Sequence, residues 1–261
     1  TASGDGGRII IWANESTRFG GHIEAAGSSN GLGGFAEVSG KRELAFFGTA
    51  GLSGERGPGT LLLDPENIII DGSGNDAPDA QGEVSFDDAG ETFSIQPQTI
   101  EMLLNNDVSV MLEATESISI DSAIIANENT PDTWLRLHSG GQVVVNKSIT
   151  LGNGSFQAIA GHSTFGDAIC QGVEGGRKII LSGESSISSS GNVELTATDA
   201  IELMEGTGIS GTSITLESRN TINVGENLTS EAGTIQIHAG DSSLNVQDLN
   251  YDSEGDHVFS G

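Results

Sequence analysis

Several things are scarce in this chain, and each scarcity excludes something. There is one cysteine, Cys170, so no internal disulfide can staple the fold. Proline occurs five times in 261 residues, too rarely for a collagen or a Pro-rich linker. Aromatic residues make up 5%, and hydrophobic residues in all 35%, which is lean for a globular enzyme core but enough for a thin, elongated one. Lys and Arg number 10 against 37 acids, giving a formal net charge of -27. A chain this acidic has no general field for nucleic acid, because phosphate binding needs cations. No apolar run is long enough to read as a membrane-spanning helix. The opening Thr1–Gly7 carries no signal-peptide pattern and resembles the middle of a repeat, so the chain reads as a mature fragment or excised segment.

Repeats are present, and they carry the fold. Val193, Ile214 and Ile235 begin apolar–polar–apolar triplets at a constant spacing. Triplets at Ile201, Ile222 and Leu244 follow them, and then single apolar residues at Ile209, Leu228 and Leu249. Upstream, Val110, Ile118 and Ile124 return as Leu135, Val143 and Ile149, all three by one common and slightly longer offset, with the next coil starting at Phe156. Nearer the start, Gly6, Gly7, Phe19, Gly21 and Gly27 return as Gly33, Gly34, Phe46, Gly48 and Gly54, again by a single shared offset.

Alternation at period 2 makes half-buried strands. Strands of three to five residues are too short to stand alone. Stacking equivalent strands from successive coils supplies both hydrogen bonds and a continuous core. The expected fold is therefore all-β: a parallel β-helix with three short strands per coil. Gly152–Gly154, Gly140–Gly141 and Ser190–Asn192 serve as corners. About twelve coils at the usual strand spacing would give a rod roughly 55–60 Å long. A leucine-rich repeat is excluded by the missing L-x-x-L-x-L-x-x-N pattern; a β-sandwich would not hold one phase across three strand sets.

The organisation follows from the same pattern. Residues 1–70 form glycine-rich coils of about 27 residues, and 108–261 form coils of about 21–25. Between them, 71–107 is an acidic excursion that ends in a short helix near residues 98–105, where Ile100, Leu103 and Leu104 share one face.

Two phrases in the first third are specific. Gly33-Gly34-Phe35-Ala36-Glu37-Val38-Ser39-Gly40-Lys41 resembles the GGF-EVSGK motif of filamentous-haemagglutinin-like two-partner-secretion exoproteins. Leu61, Leu63, Asp64, Pro65 and Asn67 lie in Gly59–Ile68, which resembles the GTLLLDP-NI motif of the same family. The resemblance is specific in residues 6–70 and generic afterwards. It implies a right-handed β-helix secreted to the Gram-negative cell surface through an outer-membrane partner. That partner would act on a secretion domain carrying NPNG- and NPNL-type motifs, and neither occurs here. The expected role is a structural and adhesive stalk segment without catalysis, its partners being neighbouring coils of the same polypeptide and an extracellular receptor or glycan. The alternatives are a module that captures a host protein, glycan or haem carrier through the loop 71–91, and a polysaccharide-active β-helix enzyme.

The candidate sites are sparse. Asp71, Asn75 and Asp76 fall in a stretch similar to a calcium loop, but Asp76 stands where that loop needs Gly, and Gly82 where it needs Glu. They are weak calcium candidates, and no other cofactor is expected. Asp64-Pro65-Glu66-Asn67 reads as a tight turn whose Asp and Asn bond the local backbone. The histidines, His22, His138, His162, His238 and His257, follow no metal spacing and read as corner or solvated residues. Cys170 reads as a buried small hydrophobe.

Overall fold

The structure, a computed structural model, describes residues 4–72, 93–161, 176–225, 227–231, 233–240, 243–246 and 257–260. Among these, all pairings between strands are parallel and join successive coils, so the chain is a β-solenoid of about eight turns. The first sheet has ten strands in strict chain order, from Arg8–Ala13 to His257–Ser260. The repeat offsets read from the sequence are the registers found. Phe19 pairs with Phe46, Val110 with Leu135, Ile118 with Val143, and Ile124 with Ile149. Val193 pairs with Ile214, and Ile214 with Ile235. Leu249 lies outside the described residues.

The core follows from the alternation. Inward residues at matching positions stack into columns, such as Leu61–Val110–Leu135–Phe156–Val193, all almost fully buried. One continuous hydrophobic cluster runs from Ile23 to Ala239. Phe19 and Phe46 stack at 5.7 Å between the first two coils.

Among the described residues ten rungs, not twelve, make up the first sheet, and at the usual spacing they span roughly 43 Å. The difference has a physical source. Leu61 pairs directly with Val110, and Phe156 directly with Val193, although far more chain separates these partners than separates Val193 from Ile214. Each pairing advances the sheet by one rung, whatever the length of chain between its partners.

After Gly72 the described chain resumes at strand Phe93–Ile95, which pairs in parallel with Asn67–Ile70 at the end of the second sheet and touches Glu43–Phe46. The helix follows as Pro97–Asn105, with Pro in its first turn and Pro97, Ile100, Leu103 and Leu104 buried. It stands where the third sheet would continue. That sheet is split into His22–Glu24 with Thr49–Gly51 on one side and five strands beginning at Ile124–Ala126 on the other. The helix closes the edge it meets: the Glu101 carboxylate accepts the Ile125 N–H at 2.8 Å, and Asn105 Oδ1 accepts the Glu128 N–H at 3.0 Å. An open sheet edge is a template for unwanted pairing, and this one is covered. Asn106 caps the helix, and Asp107 then turns the chain at φ 59°. Among the described residues no helix is long and apolar enough to cross a membrane.

Candidate functional site

The motif glycines are explained by close backbone approach at the corners. A Cβ on Gly34 would lie 2.2 Å from the Ala25 carbonyl oxygen, and one on Gly59 would lie 2.2 Å from both Gly34 O and Leu52 O. Gly33 is just as crowded, by Gly59 N and Leu52 O at 2.1 Å, and a Cβ on Gly40 would meet Glu43 O at 1.9 Å. Around Gly33, Gly34 and Gly59 successive coils therefore touch main chain to main chain where the third side turns into the first, while Gly40 is crowded by the turn from the first side to the second. Val38, Leu61 and Leu63 fill the core, Pro65 is buried, and Lys41 is exposed in the turn. Phe35 lies under the Arg8 guanidinium at 4.8 Å.

Asn67 does not bond its local turn, as the sequence suggested. Its Oδ1 accepts from Ser117 Oγ at 2.6 Å and its Nδ2 reaches Glu116 Oε2 at 3.4 Å, so it ties its coil to the next. Asp71 accepts a hydrogen bond from Ser94 Oγ at 2.6 Å; Asn75 and Asp76, the other calcium candidates, lie outside the described residues. His162 and Cys170 do too. His22 is held by Thr49 Oγ1 and Glu24 at an exposed edge. Its ring helps to line a cleft of about 340 Å³ between Thr49–Gly51 and the helix residues Met102 and Leu103.

The chemically distinctive place is on the outward face of the first sheet. Ser39 pairs with Asp64, and Leu63 with Leu112, which sets Glu113 beside Asp64; Glu113 in turn pairs with His138. Glu37 stands two positions before Ser39 and accepts its hydroxyl at 3.0 Å. His138 is a correction to the corner reading: its side chain is only 4% exposed, with Nδ1 3.5 Å from Glu113 Oε1. Burial first, then the charges of Glu113 and Glu37, push the Asp64 carboxyl up to about 7. Burial, followed by Glu37, also raises Glu113. Arg136, on the His138 strand, lies over the Trp134 ring at 4.6 Å. This column was missed in the sequence. The offset that carries Val110 onto Leu135 already places Glu113 on His138, but Asp64 and Glu113 stand on either side of the excursion, where no repeat offset applies.

Elsewhere the charged groups tie coils together. Arg177 bonds Asp199 through its backbone N–H at 2.8 Å and its guanidinium, and Lys178 meets Glu202 at 2.9 Å. Burial works to raise Asp199, but the Arg177 hydrogen bonds, with the Arg177 and Lys178 charges, outweigh it and hold the carboxyl below its ordinary value. Among the described residues no three His, Cys, Asp or Glu side chains converge as a metal site.

These features define a parallel β-helix repeat protein with one half-buried titratable column. No protein-family model matches the chain, and no curated protein matches it.

Proposed function

We propose that this chain is a stiff structural and adhesive stalk segment of a secreted bacterial surface protein of the filamentous-haemagglutinin type, and that it catalyses no reaction. The observation that carries the reading is the uninterrupted ten-strand ladder, in which each rung is held by its neighbours and adds a fixed length. The motif phrases of residues 33–41 and 59–68 support it, since their glycines and leucines serve coil stacking. So do the hydroxyl links that join neighbouring coils along part of the third side: Ser188 with Ser210 at 3.0 Å and Ser148 with Ser186 at 3.1 Å. The test is to place the chain between a surface anchor and a known binding domain on a bacterial cell. The reach of that domain should grow by roughly the rod length, about 43 Å. No gain in reach would refute the stalk.

One observation favours a second reading, a polysaccharide-active β-helix. Asp64 holds its proton near neutrality beside Glu113, the kind of unequal carboxylate pair that glycoside cleavage employs. Against it, Glu113 is only 14% exposed, leaving little room for a sugar. Cleavage of any polymer in a glycan panel, abolished by Asp64→Asn, would replace the stalk with an enzyme.

A further inference from the structure

We propose that the carboxylates and histidine in this column form a proton-operated latch across strands Phe35–Gly40, Gly59–Asp64, Val108–Ala114 and Trp134–Ser139, fastened in acid and loosened above neutrality. The geometry comes from register. Parallel in-register strands set equivalent side chains about 4.8 Å apart. Asp64 therefore has Glu113 on one neighbouring strand, and Ser39 with Glu37 on the other. One strand further lie His138, 3.5 Å from Glu113, and Arg136, turned onto Trp134.

Asp64 and Glu113, on adjacent strands and partly withdrawn from water, resist ionising together, so a proton is held there to higher pH than on a free carboxyl. A protonated Asp64 carboxyl is a donor, and Glu37 and Glu113 on the two flanking strands offer it acceptor oxygens. Remove the proton and that link is replaced by repulsion between adjacent strands. The direction is fixed by the sign of the shift. Asp64 binds its proton more tightly in the fold than in the unfolded chain. Its contribution is complete below the ordinary carboxylate range and is lost as pH rises through about 7. His138, 3.5 Å from Glu113, closes the group on the side of Trp134–Ser139.

The test is hydrogen exchange of the whole chain at pH 5 and pH 8, with protection factors corrected for the intrinsic pH dependence of exchange. Wild type should lose on the order of a hundredfold of protection in these four strands between the two pH values, the span one carboxyl of this affinity can supply. Asp64→Asn cannot lose a proton and should remove most of that difference. Glu217→Gln, an exposed position on the same sheet, reports the general effect of lowering the charge of an acidic chain and should behave as wild type. A wild-type loss spread evenly along the rod, or an Asp64→Asn chain with the wild-type difference, would overturn the latch. Should Asp64→Asn fail to fold, carbon NMR of the Asp64 carboxyl in the unmodified chain decides. A midpoint near 7 upholds the proposal, and one near 4 overturns it.

Discussion

Ile222 offers a demanding check on how the rod holds together. Its side chain is fully buried, and its strand, Thr221–Val224, lies between Ala200–Leu203 and Ser243–Val246. Ile222 stacks in register on Ile201 and pairs with Leu244. Replacing it with Asp has two costs. The lost apolar contacts and the space left behind amount to about 2–5 kcal/mol, by analogy with large-to-small core changes. The new carboxyl must then be buried without a partner, or take up a proton, for at least about another 1–3 kcal/mol. A loss of roughly 5 kcal/mol rivals the whole stability of many domains. It should not be felt uniformly, because each coil contacts mainly its neighbours. Exchange measured by mass spectrometry should show protection collapsing in the coils from Lys178 to Val246 and persisting in strands Arg8–Ala13 to Trp134–Ser139. Melting followed by circular dichroism should split into an early phase and a late one. An unchanged melt would refute the inward placement of Ile222. A uniform collapse would refute the neighbour-only energetics.

Other consequences follow from the same geometry. Gly59→Ala should destabilise by about 3 kcal/mol in urea unfolding, because its Cβ would meet two carbonyl oxygens at 2.2 Å, whereas Gly7→Ala, with no atom within 4 Å, should be near neutral. Equal effects would mean that the corner is looser than described. Glu101→Ala should leave the Ile125 N–H unmet and cost about 1–2 kcal/mol, with faster exchange confined to Ile124–Ala126. Far-ultraviolet circular dichroism should show mostly β-structure with a minor helical part removed by Leu103→Pro; strong helical signal would contradict the fold. Arg8, Ile10 and Trp12 point their backbone groups away from Phe35–Gly40, since Gly7 and Ala13 supply bonds to that neighbour. Light scattering should therefore detect end-to-end association that grows as salt screens the chain's charge. A monodisperse monomer at every salt concentration would show this edge to be capped.

What could be read in advance divides along a physical line. Strand identity and register were legible because burial imposes period 2, and because a parallel stack converts each repeat offset directly into a pairing, as with Val110 and Leu135. The helix was legible because Ile100, Leu103 and Leu104 break that period for a helical one. Its place was not: nothing local says that Pro97–Asn105 stands in for a third-side strand, or that Phe93–Ile95 slots beside Asn67–Ile70. The titratable column was hidden for the same reason. Glu37, Asp64, Glu113 and His138 are ordinary residues in sequence and become a group only when four coils are laid on one another. The environment that raises Asp64 is likewise a property of the stack and not of the Asp64–Pro65 turn.

Whether this chain is a rod of separable coils is decided by pulling it from both ends in a force microscope. A stacked stalk should unzip from its ends in successive events. Most events should release one coil of about 21–27 residues, a gain of roughly 70–95 Å of extended chain, and the coils closed by the Leu61–Val110 and Phe156–Val193 pairings should release correspondingly more. A lone rupture releasing the whole length at once would show a globally cooperative domain, and would contradict the account.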